Sequence, residues 1–272
     1  MVTLFPAQIN DFPPENAFFS LLDICKTFRT KKTETAVLRG VNLSVREHEF
    51  VSIVGPSGCG KSTLLKIAGG IMSATSGSIR LKDETFFKYL PKEKLRDFGF
   101  VFQHDNLFAW RTCEKNLRLP LEVMKLKGPK WDARIYELLR LVGLEKYRTM
   151  YPHEMSGGMR QRASIARALV HNPSILILDQ PFGALDAITR RILAFELLNI
   201  WKTTRKTILF VTNNVEEALL LSGRVCVLAH GHSGIFREIA VDIPEEERTP
   251  DLLGKDSFIR HVEELDGLLR SL

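Results

Sequence analysis

Short apolar runs alternate with longer stretches of helical period along most of the chain. Phe50–Val54 is apolar apart from Ser52, and the pattern recurs at Ile175–Leu178, Ile208–Val211 and Val225–Leu228. Runs of this length predict strands buried on both faces. Between them, Ser62–Ala68, Ala187–Trp201 and Val215–Leu221 place apolar residues at helical spacing. The alternation predicts an α/β fold, with a mainly parallel sheet flanked by helices. Upstream, Leu21–Cys25 and Val37–Val45, the latter alternating Val41, Leu43 and Val45, predict an antiparallel strand pair. KTFRTKKTET at 26–35 is then the polar loop between them. From Gln103 to Ala168 strand signals stop and helical ones appear at Glu114–Lys127, Trp131–Val142 and Gly158–Val170. This predicts a helical subdomain, about 104–168, inserted in the α/β core. Gly143 is placed as a helix C-cap, and Pro120 predicts that the first of these helices is short or kinked.

Residues 1–19, with three prolines, predict a tail of little regular structure. A main domain over 20–230 follows, then a charged extension over 231–272 with a turn at GHSG and a loop at PEEERTPD.

Composition narrows the classes. Of 272 residues 44% are hydrophobic and 26% charged, which excludes disorder for most of the chain. No stretch approaches the ~20 apolar residues of a membrane span, and the N-terminus lacks a signal-peptide pattern, so the chain is expected to stay in the cytoplasm. The four cysteines (Cys25, Cys59, Cys113, Cys226) are dispersed, predicting reduced thiols rather than zinc or disulfides. The histidines His48, His104, His153, His171, His230 and His232 show no metal-ligand spacing. The net charge of +6 comes with interleaved acids and bases, so no nucleic-acid partner is expected.

The segment Gly55, Pro56, Ser57, Gly58, Cys59, Gly60, Lys61, Ser62 fits G-x-x-x-x-G-K-[ST], and Thr63 follows it. It lies where the motif needs it, after a strand and before a helix. Glycines let the backbone turn its N–H groups inward at phosphate oxygens, aided by the positive end of the helix. Lys61 adds a point charge for the β and γ phosphates, Ser62 a hydroxyl for magnesium, and Cys59 only a small side chain. A nucleotide site also needs a carboxylate ending a neighbouring buried strand, and Asp179 after Ser174–Leu178 supplies it.

With these residues in hand, the chain resembles the ATP-binding subunits of ABC transporters from about Leu21 to Leu228. Met155–Arg162 is similar to the family signature, in which Ser156, Gly157 and Gly158 would contact the γ-phosphate held by the opposite subunit of a dimer. Ser156 stands 23 residues before Asp179, which makes the match specific. Gln103 matches the Q-loop glutamine that senses magnesium, and Ala184, Leu185 and Asp186 match the D-loop. Phe28 is placed like the aromatic residue that stacks on adenine. The wording LFAWRT, YPHEMSGGMRQR and DQPFGALD is most similar to the nitrate, sulfonate and taurine importer branch.

Two positions depart from the family's pattern. Where a glutamate follows the Walker B aspartate, this chain has Gln180. Where the switch segment has His-Asp, it has Asn213 and Asn214. An amide orients water but takes no proton from it, and general acid–base assistance is typically worth ~10²–10⁴ in rate. Natural degeneracy, deliberate exchange for near-isosteric amides and tolerated drift all stand as explanations.

The resemblance implies an energy-coupling subunit that binds ATP and Mg²⁺ at a dimer interface, with slow hydrolysis, and drives a separate ABC permease membrane subunit. It implies a homodimer or a heterodimer with a second ATP-binding subunit, an extracytoplasmic substrate-binding protein in the same system, and a peripheral place on the cytoplasmic face of the membrane. The apolar run Leu107–Trp110 near the Q-loop is a candidate contact for the permease, with burial in the helical subdomain as the other reading of Trp110. The rival function is a soluble ABC-type protein acting on nucleic acid, or a nucleotide-dependent scaffold. Such proteins typically carry two tandem ATP modules, and this chain has one phosphate loop and one signature.

Overall fold

Each of the four apolar runs becomes a buried strand in the structure, a computed structural model that describes residues 17–30 and 33–272. In chain order the elements are β1 (Phe19–Arg29), β2 (Glu34–Val45), β3 (Phe50–Val54), α1 (Lys61–Ala68), β4 (Ser76–Leu81), β5 (Glu84–Phe87) and β6 (Phe98–Val101). Then come α2 (Cys113–Val123), α3 (Pro129–Leu141), α4 (Gly157–Leu169), β7 (Ile175–Asp179) and α5 (Ala187–Thr204). The last are β8 (Thr207–Val211), α6 (Val215–Leu221), β9 (Arg224–Val227), β10 (Arg237–Ala240) and α7 (Asp256–Arg270). Two units result, one from the chain up to Leu95 together with Thr207–Leu272, the other from Arg96–Lys206.

In the first unit β3 runs parallel to both β8 and β9, with Phe50 opposite Ile208 and Val51 opposite Arg224. Every residue of β3 and β8 is buried, as a central parallel strand requires. Phe50 and Phe210 meet edge to face at 5.9 Å, and α1 and α6 pack against these strands. A second, antiparallel sheet has the order β2-β1-β4-β5. The polar segment after Cys25 is strand rather than loop for most of its length, because β1 continues to Arg29 and β2 starts at Glu34. Its threonines suit a half-exposed strand, and Arg29 pairs with Glu34 across the ladder at 3.1 Å. At the other end Ala17 and Phe19 are buried, so regular structure begins inside the expected tail, whose residues 1–16 lie outside those described.

The extension past Ala229 is more ordered than its charge suggests. β10 pairs antiparallel with β9, and α7 packs on α6 through a face that includes buried Phe258 and Leu265. Arg248, buried, donates to the carbonyl oxygens of Leu220 at 2.8 Å, Ser222 at 2.9 Å and Ile243 at 3.1 Å. It thereby meets carbonyls at the negative end of α6.

In the second unit β6 and β7 are parallel, with Phe98 opposite Ile175, and no strand separates Val101 from Ile175. Pro120 stands in the last turn of α2, which stops at Val123 rather than Lys127. Gly143 ends α3 at φ 67°: its N–H reaches Arg140 O at 3.0 Å, and that of Leu144 reaches Leu139 O at 2.7 Å. These two bonds form a Schellman closure, which needs a left-handed residue at this position. All four cysteines are free thiols, and burial pushes Cys113 up to about 11.

Candidate functional site

The phosphate loop leaves β3 at Gly55 and enters α1 at Lys61. Gly55, Gly58 and Gly60 hold φ values of 153°, 84° and 108°. A methyl group on Gly55 would lie 2.2 Å from the Leu228 carbonyl oxygen, and one on Gly60 2.7 Å from Leu38 Cδ2. Only glycine fits either place, and a loop built on such glycines is the kind whose backbone N–H groups can cradle phosphate. Lys61 is buried, and its Nζ donates to Gly55 O at 2.7 Å and Pro56 O at 2.9 Å. Cys59 is buried, and desolvation raises its thiol pKa despite the nearby ammonium, so it stays protonated. Ser62 and Thr63 open α1, whose first turn has no acid to repel an anion.

Thr212 N–H bonds to Ile53 O at 3.3 Å, so the chain leaves β8 beside the strand that feeds the loop. Asn213 comes next and is exposed. Asn214 caps α6, its Oδ1 accepting Glu217 N–H at 3.0 Å, a task an aspartate performs equally well. The exchange at 214 therefore preserves local structure, whereas Asn213 carries no imidazole. His230, which the spacing rules leave as a surface residue, touches the loop: its Nε2 lies 2.9 Å from Ser57 O.

In the second unit Asp179 closes β7 and is buried. Gln180 turns the chain at φ 47°, and Gly183 N–H bonds to Gln180 O at 3.1 Å. A methyl on Gly183 would stand 3.4 Å from Gln180 O and 3.7 Å from Gln103 Nε2, so the Gln103 amide flanks this turn. Asp186 caps α5 by accepting Thr189 N–H at 3.0 Å, a bond that holds its carboxyl below the ordinary range. Ser156 caps α4 in the same way, accepting Met159 N–H at 3.2 Å, and Gly157 and Gly158 form the first turn. Methyls on these glycines would come within 3.1 Å of Leu185 and Thr189. The signature and the D-loop segment are thus packed together.

Asp105 is a member of this group that sequence reasoning missed. Its Oδ2 accepts Arg160 Nε at 2.9 Å, and its carbonyl oxygen accepts Ser164 Oγ at 3.1 Å and Arg167 Nη2 at 2.8 Å. The segment two residues past Gln103 is therefore fastened to the signature helix. Asn116, buried, fixes the next stretch through Phe108, Arg111 and Thr112. Trp110 is exposed, 4.8 Å from the Phe108 ring, which decides against its burial. Phe28 lies on β1, not in a loop; it is 39% exposed with Lys26 Nζ 5.2 Å from its ring centroid.

Among the described residues no group of three His, Cys, Asp or Glu side chains could hold a metal, and no helix is long and apolar enough to cross a membrane. Ser62 in the first unit, and Gln103 and Asp179 in the second, each carry a side-chain oxygen, the ligand type that a hard cation such as magnesium takes.

Comparison with known proteins agrees with these features. Residues 38–183 match the family described as ABC transporter. The aliphatic sulfonates import ATP-binding protein SsuB of Bacillus licheniformis is 42% identical over 219 residues, covering 80% of this chain and 83% of its own. The nitrate import ATP-binding protein NrtD of Synechocystis sp. is 36% identical over 259 residues, covering 92% and 94%. A dimeric ATP-binding cassette solved in a post-hydrolysis state with ADP and phosphate superposes with a TM-score of 0.72 at 33% identity, covering 83% of this chain and 100% of that one. A match of this length, carrying the phosphate loop, Asp179 and the Ser156 signature, establishes that the chain belongs to the ABC transporter family, as one of its ATP-binding cassettes.

Proposed function

We propose that the chain is the ATP-binding, energy-coupling subunit of an ABC importer for a small anion such as nitrate, a sulfonate or taurine. The observation that carries the ATP-binding part is the glycine cradle with its buried lysine. The importer part is supported by relatives named for sulfonate and nitrate import that match over most of their length. In this reading Gly55–Thr63 hold the phosphates of ATP, Phe28 stacks on adenine, and Ser62, Asp179 and Gln103 hold Mg²⁺ directly or through water. Bound magnesium would neutralise charge on the β and γ phosphate oxygens. Ser156, Gly157 and Gly158 serve a nucleotide on the opposite subunit of a dimer, with Asp186 beside that interface.

Hydrolysis by the chain's own catalytic groups is slow in this account. Gln180 can orient water but cannot accept its proton, and Asn213 offers the γ-phosphate no imidazole. An intact signature beside a degenerate catalytic half favours a heterodimer, in which Ser156 completes the working site of a second subunit that has the missing glutamate and histidine. The permease, contacted near Trp110, and an extracytoplasmic binding protein supply selectivity, and the chain sits peripherally on the cytoplasmic face of the membrane. Calorimetric titration with Mg-ATP, together with co-purification of a membrane subunit from solubilised cells, tests the reading. No heat of ATP binding, or co-purifying RNA in place of a membrane protein, would refute it.

A further inference from the structure

The outer turn of the phosphate loop also lines a cavity. Gly58 and Cys59 form one wall, the start of β2 (Thr35–Val41) another, and the turn from Leu228 to Gly234 between β9 and β10 the third. Lys61, Ser62 and Thr63 are not among its lining residues. Its volume is about 210 Å³. That is several times the roughly 30 Å³ of a water in the liquid, and below the roughly 300–1,000 Å³ of pockets for drug-sized molecules.

The lining is one-sided in charge. Arg39, His230 and His232 are among its lining residues, and no carboxylate is among the described ones. The Arg39 guanidinium takes part in no hydrogen bond or ion pair among the described residues, while its backbone carbonyl accepts Gly234 N–H at 2.7 Å and fixes the turn. His232 rests edge-on against Phe236 at 4.8 Å. His230 is the one of the three already engaged. A carbonyl oxygen only accepts, so its Nε2 carries the proton and donates to Ser57 O at 2.9 Å, and a methyl on Gly58 would lie 3.5 Å from its Cε1.

We propose that this cavity binds a small oxyanion, of the phosphate, sulfonate or nitrate type, with Arg39 and His232 as ligands and His230 as its link to the phosphate loop. A free guanidinium fork and an imidazole, with no carboxylate to compete, suit an ion of several oxygens. An anion in the cavity lies beside the ring whose Nε2 bonds Ser57 O at 2.9 Å, so occupancy reaches the loop that cradles nucleotide. The site does not depend on whether the chain turns over ATP.

The test is a titration of the full chain with inorganic phosphate, read by the imidazole proton resonances of His230 and His232. His230→Gln and His232→Gln assign the two signals. A Lys61→Ala background removes the charge by which the loop itself would bind phosphate. Both signals should move saturably, and Arg39→Ala should weaken the binding about tenfold, as loss of one charge-assisted contact implies. Methanesulfonate and nitrate titrations separate the sources. Tighter binding of phosphate identifies the product of ATP cleavage, and tighter binding of the other ions identifies an imported solute; either supports an oxyanion site. Signals that stay still, that move equally in Arg39→Ala, or that respond to ATP but to none of the free ions overturn the proposal. The calorimetric ATP titration remains a separate readout, so failure here leaves the nucleotide assignment standing.

Discussion

The Lys61 ammonium donates to the Gly55 carbonyl oxygen at 2.7 Å across the phosphate loop it belongs to. The loop's own backbone thus holds the charge, and in the proposed function phosphate oxygens take the place of the Gly55 and Pro56 oxygens. Lys61→Ala should weaken Mg-ATP binding by about 10–100-fold, the range for a lost hydrogen bond to a charged group. Calorimetry measures this, with a thermal melt to show that the fold survives. Unchanged affinity would remove the loop from the nucleotide site.

The proposed function gives Ser156 a second task beside its cap of α4, and substitution can separate the two. As the cap of α4 it is replaceable by aspartate, whose oxygen also accepts Met159 N–H, whereas alanine leaves that donor without a side-chain acceptor and should cost about 1 kcal/mol. In the proposed function it must also approach phosphate, which aspartate repels. Ser156→Asp should therefore keep the melting temperature while abolishing both ATP-promoted dimerisation in light scattering and turnover of a mixed complex. A mixed complex that still turns over at the original rate would count against the signature role.

Asp186 caps α5, and its depressed pKa fixes the sign of a pH effect. The Thr189 N–H favours the carboxylate in the folded state. Its contribution is present above the ordinary carboxyl range and is lost as pH falls through the lowered folded value. An NMR titration should show the Thr189 amide shifting with a midpoint below the ordinary carboxyl range. In Asp186→Asn, which keeps the cap without the charge, that shift should vanish.

Arg248 ties the C-terminal extension to the end of α6 through three carbonyl oxygens, and burial pushes its guanidinium down to about 10. Arg248→Met should destabilise the protein by about 2 kcal/mol, since the acceptors lose their donor while a buried charge is also removed. Urea unfolding reads this directly. A change within 0.5 kcal/mol, the range of ordinary surface substitutions, would show that the extension is held by α7 packing alone.

The central architecture was legible because parallel strands buried on both faces are almost wholly apolar, as in Phe50–Val54, where Ser52 is the exception, and Ile208–Val211. The phosphate loop was legible because its geometry demands glycine at fixed spacing. β5, with Glu84–Phe87 largely exposed, left no such trace, and the charges of the C-terminal segment obscured α7, whose buried face includes Phe258 and Leu265. Long-range partners were also hidden. Asp105 meets Arg160 from 55 residues away, and His230 meets Ser57 from 173 away, distances at which no periodicity operates. Phe28 was misplaced because threonines and lysines read as loop where they in fact edge a strand.

The claim that most depends on these residues is that the chain binds ATP well and cleaves it poorly. Steady-state ATP turnover of the purified protein, compared with Gln180→Glu combined with Asn213→His at saturating Mg-ATP, tests it most directly. The expected turnover is far below the usual enzymatic median of ~10 s⁻¹ for the chain with Gln180 and Asn213, with a rise of about 10² or more in the double variant. Turnover of several per second by the chain with Gln180 and Asn213, unaffected by restoring both groups, would contradict it.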